Sequence, residues 1–467
     1  MQAVRETVKH LKGTYGIVVM QDDNPDLLVG ARNGSPLILG VGDNEMFIAS
    51  DVNAMISYTK QVVYLEDGEI VTVRPTDFEI SDFDEKNISK TVSEVDWEFE
   101  SFEKGEFEHF MLKEIFEQKE SVVRGMAGRI DVNLATGHLG GLNMTSRELI
   151  NIERVVIVAA GTSFHAGLVA SYLLESLARI PASAELASEL RYRNPIVQKN
   201  ALYFVVSQSG ETADTLYAMR ELKRKGAKVL GICNVVGSTI ARETDGGVYI
   251  HSGPEIAVAS TKAFTSQLVA LFIFTLLMAR MRDMSFEAGC EFVKQMSSLP
   301  DVIGKALTKA DEIKELAKKY NFARSFLFLG RGINYPVAME GALKLKEISY
   351  IHAEGFSAAE IKHGPIALIN EETPSLFLVP NDRLREKIIS NMKEVKARKG
   401  KVIAFTSEGD TEVAKIADDV ITVPHVSEYI YPFVMTILLQ LFAYYMALEL
   451  GRDVDQPRNL AKSVTVE

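Results

Sequence analysis

Arg154-Val-Val-Ile-Val-Ala-Ala-Gly161 and Ser325-Phe-Leu-Phe-Leu-Gly330, whose final glycines are 169 positions apart, carry the reading of the fold. Each is a continuous apolar run that ends on glycine and leads into a helical pattern. A strand apolar on both faces belongs to a parallel sheet covered on both sides. The correspondence extends outward. Ala201–Val206 pairs with Ser375–Val379, and Lys228-Val-Leu-Gly-Ile232 pairs with Lys401-Val-Ile-Ala-Phe405, 173 positions apart. Two series of strands with a near-constant offset indicate duplicated α/β domains.

Upstream, the texture changes. Short β-type runs at Gly16–Met20, Met46–Ala49 and Ile70–Val73 are separated by turn-forming stretches, up to about residue 75. Residues 76–108 are acidic and poor in apolar periodicity, and so read as a linker. The resulting expectation is a small β-rich segment at 1–75, a linker at 76–108, a first α/β domain at 109–290 and a second at 291–467.

Bulk composition sets limits. The 467 residues suggest roughly two to four domains. With 47% hydrophobic and 24% charged residues, the balance is that of a soluble globular protein. The net charge of −12 argues against a nucleic-acid partner and means that an anionic substrate must be held by local donors. The two cysteines, Cys233 and Cys290, read as small buried hydrophobes, and nothing in the sequence calls for a metal or other cofactor. Leu268–Ala279 is too short to span a bilayer, and Tyr431–Leu450 is interrupted by Gln440, so both read as buried helices rather than membrane spans. The absence of an apolar leader points to the cytoplasm.

Two βα turns carry the chemistry. Ser207-Gln208-Ser209-Gly210-Glu211-Thr212 follows a strand and opens a helix, where free N–H groups and the helix dipole favour an anion. Its three hydroxyls and its glycine suit a phosphate, although an ordinary N-cap could use the same residue types. Gly161-Thr162-Ser163 occupies the turn of the preceding βα unit, and the two turns can converge at a topological switch point. The matching turn of the second unit, Pro380-Asn381-Asp382-Arg383, lacks this chemistry. There, Glu340, Lys344 and Glu347 fall at i, i+4 and i+7 on one helical face, and His363 lies in a Gly-Pro loop.

These stretches, with Glu255-Ile-Ala-Val-Ala-Ser-Thr-Lys262 and the tail Asp455-Gln-Pro-Arg-Asn-Leu-Ala-Lys-Ser-Val-Thr-Val-Glu467, resemble the glucosamine-6-phosphate synthases, the isomerising glutamine:fructose-6-phosphate aminotransferases. The resemblance runs from about Leu11 to the last residue. It implies two flavodoxin-like sugar-isomerase (SIS) domains, each with a parallel sheet, preceded by a truncated α+β remnant of an N-terminal-nucleophile glutaminase. It further implies substrate contacts at Thr162, Ser163, Ser207, Gln208, Ser209, Thr212, Val258, Ser260 and Ala461. Glu347 would be the base between sugar carbons 1 and 2, His363 the ring-opening group, Lys462 the amine that engages the ketone, and Lys344 a substrate-side lysine. The implied partners are fructose-6-phosphate and ammonia or glutamine, with a second copy of the chain completing a homodimer.

Within the glutaminase-like segment only Asp51 matches a glutamine-binding residue. The N-terminal cysteine, the Arg-Trp-Ala-Thr-His-Gly loop and the Asn-Gly oxyanion segment have no counterpart in the 467 residues. The expectation is a chain that keeps the isomerase half and lacks glutaminase activity. Two rival readings use the same core. One is an ammonia-independent isomerase or deglycase. The other is a regulatory sugar-phosphate sensor, for which Glu347, His363 and Lys462 together would be superfluous.

Overall fold

A computed structural model describes residues 1–50, 52–55, 58–94 and 103–464. The five strands Arg154–Ala159, Ala182–Leu186, Ala201–Ser207, Lys228–Cys233 and Gly247–Tyr249 form one wholly parallel sheet. Ser325–Gly330, His352–Ser357, Ser375–Val379, Val402–Ser407 and Asp419–Val423 form another. In each the spatial order is second, first, third, fourth, fifth, the flavodoxin-like arrangement. The chain reverses direction across the sheet between the first and third strands, and the turns after those strands are Gly161–Ser163 and Ser207–Thr212. The repeat read from the sequence therefore holds strand for strand.

The apolar runs are buried as their pattern requires. Val155, Ile157, Leu202, Phe204, Phe326 and Phe328 all lie in one hydrophobic cluster that spans the two units. Helices Lys262–Arg280 and Tyr431–Glu449 run through that cluster. They are long and apolar enough to cross a membrane, but 94% and 89% of their apolar windows are buried inside the protein. Phe272 meets Phe433 edge-on at 5.0 Å. Gln440, the polar interruption, is satisfied: its Oε1 accepts from Gln118 Nε2 at 2.7 Å, and its Nε2 donates to the Thr261 carbonyl at 3.3 Å. Gly341 lets helix Tyr335–Ser349 pack closely, since a Cβ there would stand 2.8 Å from Leu439 Cδ1.

The N-terminal region holds two four-stranded antiparallel sheets. Tyr15–Gln21, Asn24–Asn33, Glu69–Val73 and Phe78–Asp82 make the first; Met46–Ala49, Ile38–Val41, Gln61–Tyr64 and Ser93–Glu94 make the second. Leu39 and Val63 from one sheet pack against Val71, Val73 and Ile80 from the other. Helix Gln2–Val8 covers the outer face of the first sheet through Val4 and Val8.

Three sequence expectations need correction. The stretch read as a linker from residue 76 contains Phe78–Asp82, whose Phe-Glu-Ile alternation seats Ile80 in the core. The boundary expected at 290/291 falls inside helix Phe286–Ser297. Cys290, on that helix, is only half-buried, whereas Cys233 at a strand end is buried.

Candidate active site

The hydroxyl-rich turn folds on itself. Ser207 Oγ lies 2.9 Å from Thr212 Oγ1 and accepts from the Gly210 amide at 3.0 Å, while Ser209 Oγ accepts from the Glu211 amide at 3.1 Å. Gly210 has φ +69°, and a Cβ there would stand 2.0 Å from Ser238 Oγ, so glycine is required twice over. Helix Ala213–Arg224 starts immediately after, with its N-terminal amides facing the turn. The tail lies across this point: Ser463 Oγ donates to Ser209 Oγ at 3.1 Å, and the Val464 carbonyl accepts from the Ala213 amide at 3.0 Å.

The Gly161–Ser163 turn meets the second unit. Thr162 Oγ1 donates to Glu340 Oε1 at 3.0 Å and accepts from Lys344 Nζ at 3.0 Å. Lys344 Nζ also lies 2.7 Å from Glu347 Oε2 and 3.4 Å from Glu340 Oε1. His165 Nδ1 stands 2.7 Å from Glu340 Oε2. Ser163 Oγ accepts from Gln267 Nε2 at 2.9 Å. Glu340 and Lys344 are buried at 1% exposure each, so they must compensate one another. Burial works to raise the Glu340 carboxyl, but Lys344, His165 and Thr162 hold it below the usual carboxylate range. Burial works to lower the Lys344 ammonium, but Glu347 and Glu340 hold it above its ordinary value.

A third cluster receives Lys462. Its Nζ donates to Glu255 Oε2 at 2.7 Å and to the Ala257 carbonyl at 2.8 Å. Glu255 is fully buried, and its other oxygen accepts from the Thr261 and Ala263 amides at 2.8 and 3.0 Å. Burial works to raise its pKa, but Lys462 and those amides pull it down to about 2. The Val258 amide donates to the Asp455 carbonyl at 3.0 Å, so the loop and the tail are joined a second time.

Of the sequence-derived residues, Ser207, Ser209 and Thr212 form the first cluster, Thr162, Lys344 and Glu347 the second, and Lys462 the third. The Gln208 carbonyl accepts from the Asn234 amide at 3.1 Å and thereby ties the hydroxyl-rich turn to the neighbouring strand end. Val258 and Ser260 are half-buried in the 255–262 loop, and Ala461 is exposed beside Lys462. His363 ends the turn Ala358–His363, is exposed, and its imidazole makes no hydrogen bond to another described residue. Asp51 lies outside the described residues.

His165 and Glu255 were not singled out from the sequence. His165 follows Thr162 by three, a spacing that puts both on one helical face. Glu255 lies within a quoted motif but carries no sequence signal of its pairing with a residue 207 positions away.

In the second unit the equivalent sheet edge is a cleft of about 230 Å³ lined by Asn381, Arg385, Ser407, Glu408, Asp410 and Glu412. The Arg385 guanidinium is engaged by Asp410 at 2.6 and 2.8 Å, which leaves an acidic surface unsuited to phosphate.

The SIS domain family matches residues 148–277 and 319–450, the two parallel-sheet units. The isomerizing glutamine–fructose-6-phosphate aminotransferase of Chlorobaculum tepidum is 51% identical over 465 residues, covering 100% of this chain and 76% of that protein. The chain belongs to this aminotransferase family. The aminotransferase of Thermus thermophilus is 48% identical, again covering 100% of this chain and 77% of the relative. Among solved structures, the C-terminal domain of glucosamine-fructose-6-phosphate aminotransferase from Francisella tularensis matches with TM-score 0.73 and 40% identity, covering 76% of this chain and 100% of that domain. The aminotransferase family thus spans the whole chain, with the SIS pair as its structurally matched part.

Proposed function

We propose that the SIS pair binds fructose-6-phosphate and carries out the isomerising half of glucosamine-6-phosphate formation. The observation that carries this reading is the seat of the tail. Ser463 rests on the Ser209 hydroxyl while the adjacent Lys462 amine is held by Glu255, so two consecutive tail residues bring a carbonyl-reactive amine to a phosphate cradle.

In this reading the phosphate takes the Ser207–Thr212 turn with help from Thr162 and Ser163, while Val258, Ser260 and Ala461 line the sugar. Gln208 contributes a further substrate contact from the same turn. His363 opens the ring by moving a proton between the anomeric hydroxyl and the ring oxygen. The Lys462 amine, once it has lost a proton, attacks the carbon-2 ketone; water leaves, and the resulting iminium has the same charge as the starting ammonium. Ammonia displaces Lys462 from that carbon. Glu347 then takes a proton from carbon 1 and returns it to carbon 2, while the carbon-1 hydroxyl proton passes to the nitrogen, which leaves an aldehyde at carbon 1 and an amine at carbon 2 with no net oxidation. Lys344, locked between Glu340 and Glu347, orients the base.

His363 is exposed and its imidazole shares no hydrogen bond with the three clusters, which supports a homodimer in which each copy supplies its histidine to the other. Mixing His363→Ala and Lys462→Ala chains should then restore part of the lost activity. The layered antiparallel sheets of residues 1–94 support their assignment to a glutaminase-type domain, with Asp51 as its glutamine contact. Neither cysteine offers a nucleophile for glutamine: burial pushes the Cys233 thiol up to about 12, and Cys290 sits in a surface helix. We place the protein in the cytoplasm, with no nucleic-acid or membrane partner.

The test supplies the 467-residue chain with fructose-6-phosphate, alone or with glutamine or ammonia, and assays each sugar product and glutamate. Interconversion with glucose-6-phosphate without glutamate release is expected. Steady glutamate release, or no sugar turnover at saturating substrate, would refute the reading.

A further inference from the structure

Glu114 is a buried acid that the reaction above does not use. It lies on helix Phe110–Phe116 and is 2% exposed. Its Oε1 accepts from the Ile256 amide at 2.5 Å and the Ala257 amide at 3.2 Å. Ala257 is the residue whose carbonyl receives Lys462, and Ile256 follows Glu255, whose carboxylate does the same. The Oε2 atom of Glu114 is buried without a hydrogen-bond partner among the described residues. The helix itself is held by the tail: Asp455 accepts from the Phe110 and Met111 amides at 3.0 and 2.8 Å, and so caps its N-terminus.

We propose that Glu114 is the positioning residue for Lys462, fixing the Glu255–Ala257 rung on which the amine rests and setting, through its own proton, how readily that amine is freed. This rests on the assignment of Lys462 as the ketone-engaging amine.

The charged groups around Glu114 are Glu255 from the loop, Lys262 at the start of helix Lys262–Arg280 and Lys462 from the tail. Lys262 is itself spent on Glu117, one turn along from Glu114, at 2.5 Å. With all five ionised, three carboxylates would face two ammoniums in a buried space. One surplus negative charge is costly there, and the proton that relieves it goes to Glu114. Burial and the neighbouring Glu255 push its carboxyl up to about 8 against the pull of the two lysines. Below that pH the rung is neutral on the Glu114 side, and Lys462 has only Glu255 as counter-charge. Above it, a second carboxylate holds the ammonium and slows release of the free amine.

The test is borohydride trapping of fructose-6-phosphate on Lys462, read by mass spectrometry across pH in the wild-type chain and in Glu114→Gln. Glutamine keeps the acceptor for the two amides and removes the acid. The variant-to-wild-type ratio of trapping rates should stay near one below about pH 7 and rise about threefold or more above about pH 8. A ratio unchanged across this range overturns the proposal and leaves Glu114 a structural acceptor only. No adduct on wild-type Lys462 overturns the lysine assignment, and the proposal with it. Should Glu114→Gln fail to fold, the wild-type infrared spectrum decides. A protonated carboxyl band that disappears across about pH 8, and is missing from a Glu114→Asp chain at that pH, supports the proposal; no such band at neutral pH overturns it.

Discussion

The Lys344 ammonium donates to Thr162 Oγ1 at 3.0 Å, so the Gly161–Ser163 turn of the first α/β unit is bolted to the Glu340–Lys344–Glu347 face of a helix in the second. The two units therefore cannot separate without exposing a buried ion pair. Lys344 is also the ion partner of Glu347, so in the proposed reading substrate at the Thr162 turn is coupled to the base on the other unit.

Removing Lys344 should be among the most damaging single changes. Lys344→Met leaves Glu340 buried with only His165 and Thr162, a cost of about 3–5 kcal/mol. The depressed Glu340 carboxyl contributes stability above the pH at which a free glutamate titrates. That contribution is lost as pH falls through its folded value. Chemical denaturation at neutral and acid pH should thus show the wild type weakening with acid more than Lys344→Met, whose Glu340 has lost its main counter-charge.

Ser209→Ala removes one hydroxyl from the phosphate turn and the seat of Ser463. Calorimetry should show fructose-6-phosphate binding weakened by about 1.5–3 kcal/mol. Gly210→Ala should cost more, since the added Cβ collides with Ser238 and the φ of +69° is strained. Unchanged binding in Ser209→Ala would move the phosphate elsewhere.

Glu347→Gln separates binding from proton transfer. Exchange of the carbon-1 hydrogen with deuterated water should vanish while the dissociation constant stays within about threefold. If exchange persists, the base is another group, and Glu340 can be discounted because both its oxygens are committed to Thr162 and His165.

The N-terminal sheets should open more readily than the parallel ones. Strand Tyr15–Gln21 is an edge with Val18, Val19 and Met20 exposed at 45%, 42% and 62%, whereas Arg154–Ala159 is flanked on both sides and buried. Amide exchange should be faster in the former by at least about tenfold. Equal protection would show that the small module is as stable as the large pair.

Local pattern made the duplicated α/β units legible. Continuous apolar strands, the 169-position offset and the i, i+4, i+7 face of Glu340, Lys344 and Glu347 are all short-range signals, and each has its counterpart in the structure. Phe78–Asp82 was hidden because its alternation is brief and sits among acids. The sites of Glu255, Glu114 and His165 were hidden for another reason. What makes each matter is a partner more than 140 positions away, and neither spacing nor residue type announces such a partner.

The Asp455 cap has a consequence for how the protein is made. Helix Phe110–Phe116 emerges from the ribosome 345 positions before the side chain that satisfies its first amides. At ordinary elongation speeds this is a wait of roughly 17–70 s, over which the helix N-terminus lacks its cap. Only when residues 455–464 leave the exit tunnel does the lysine arrive, together with the cap that steadies its support.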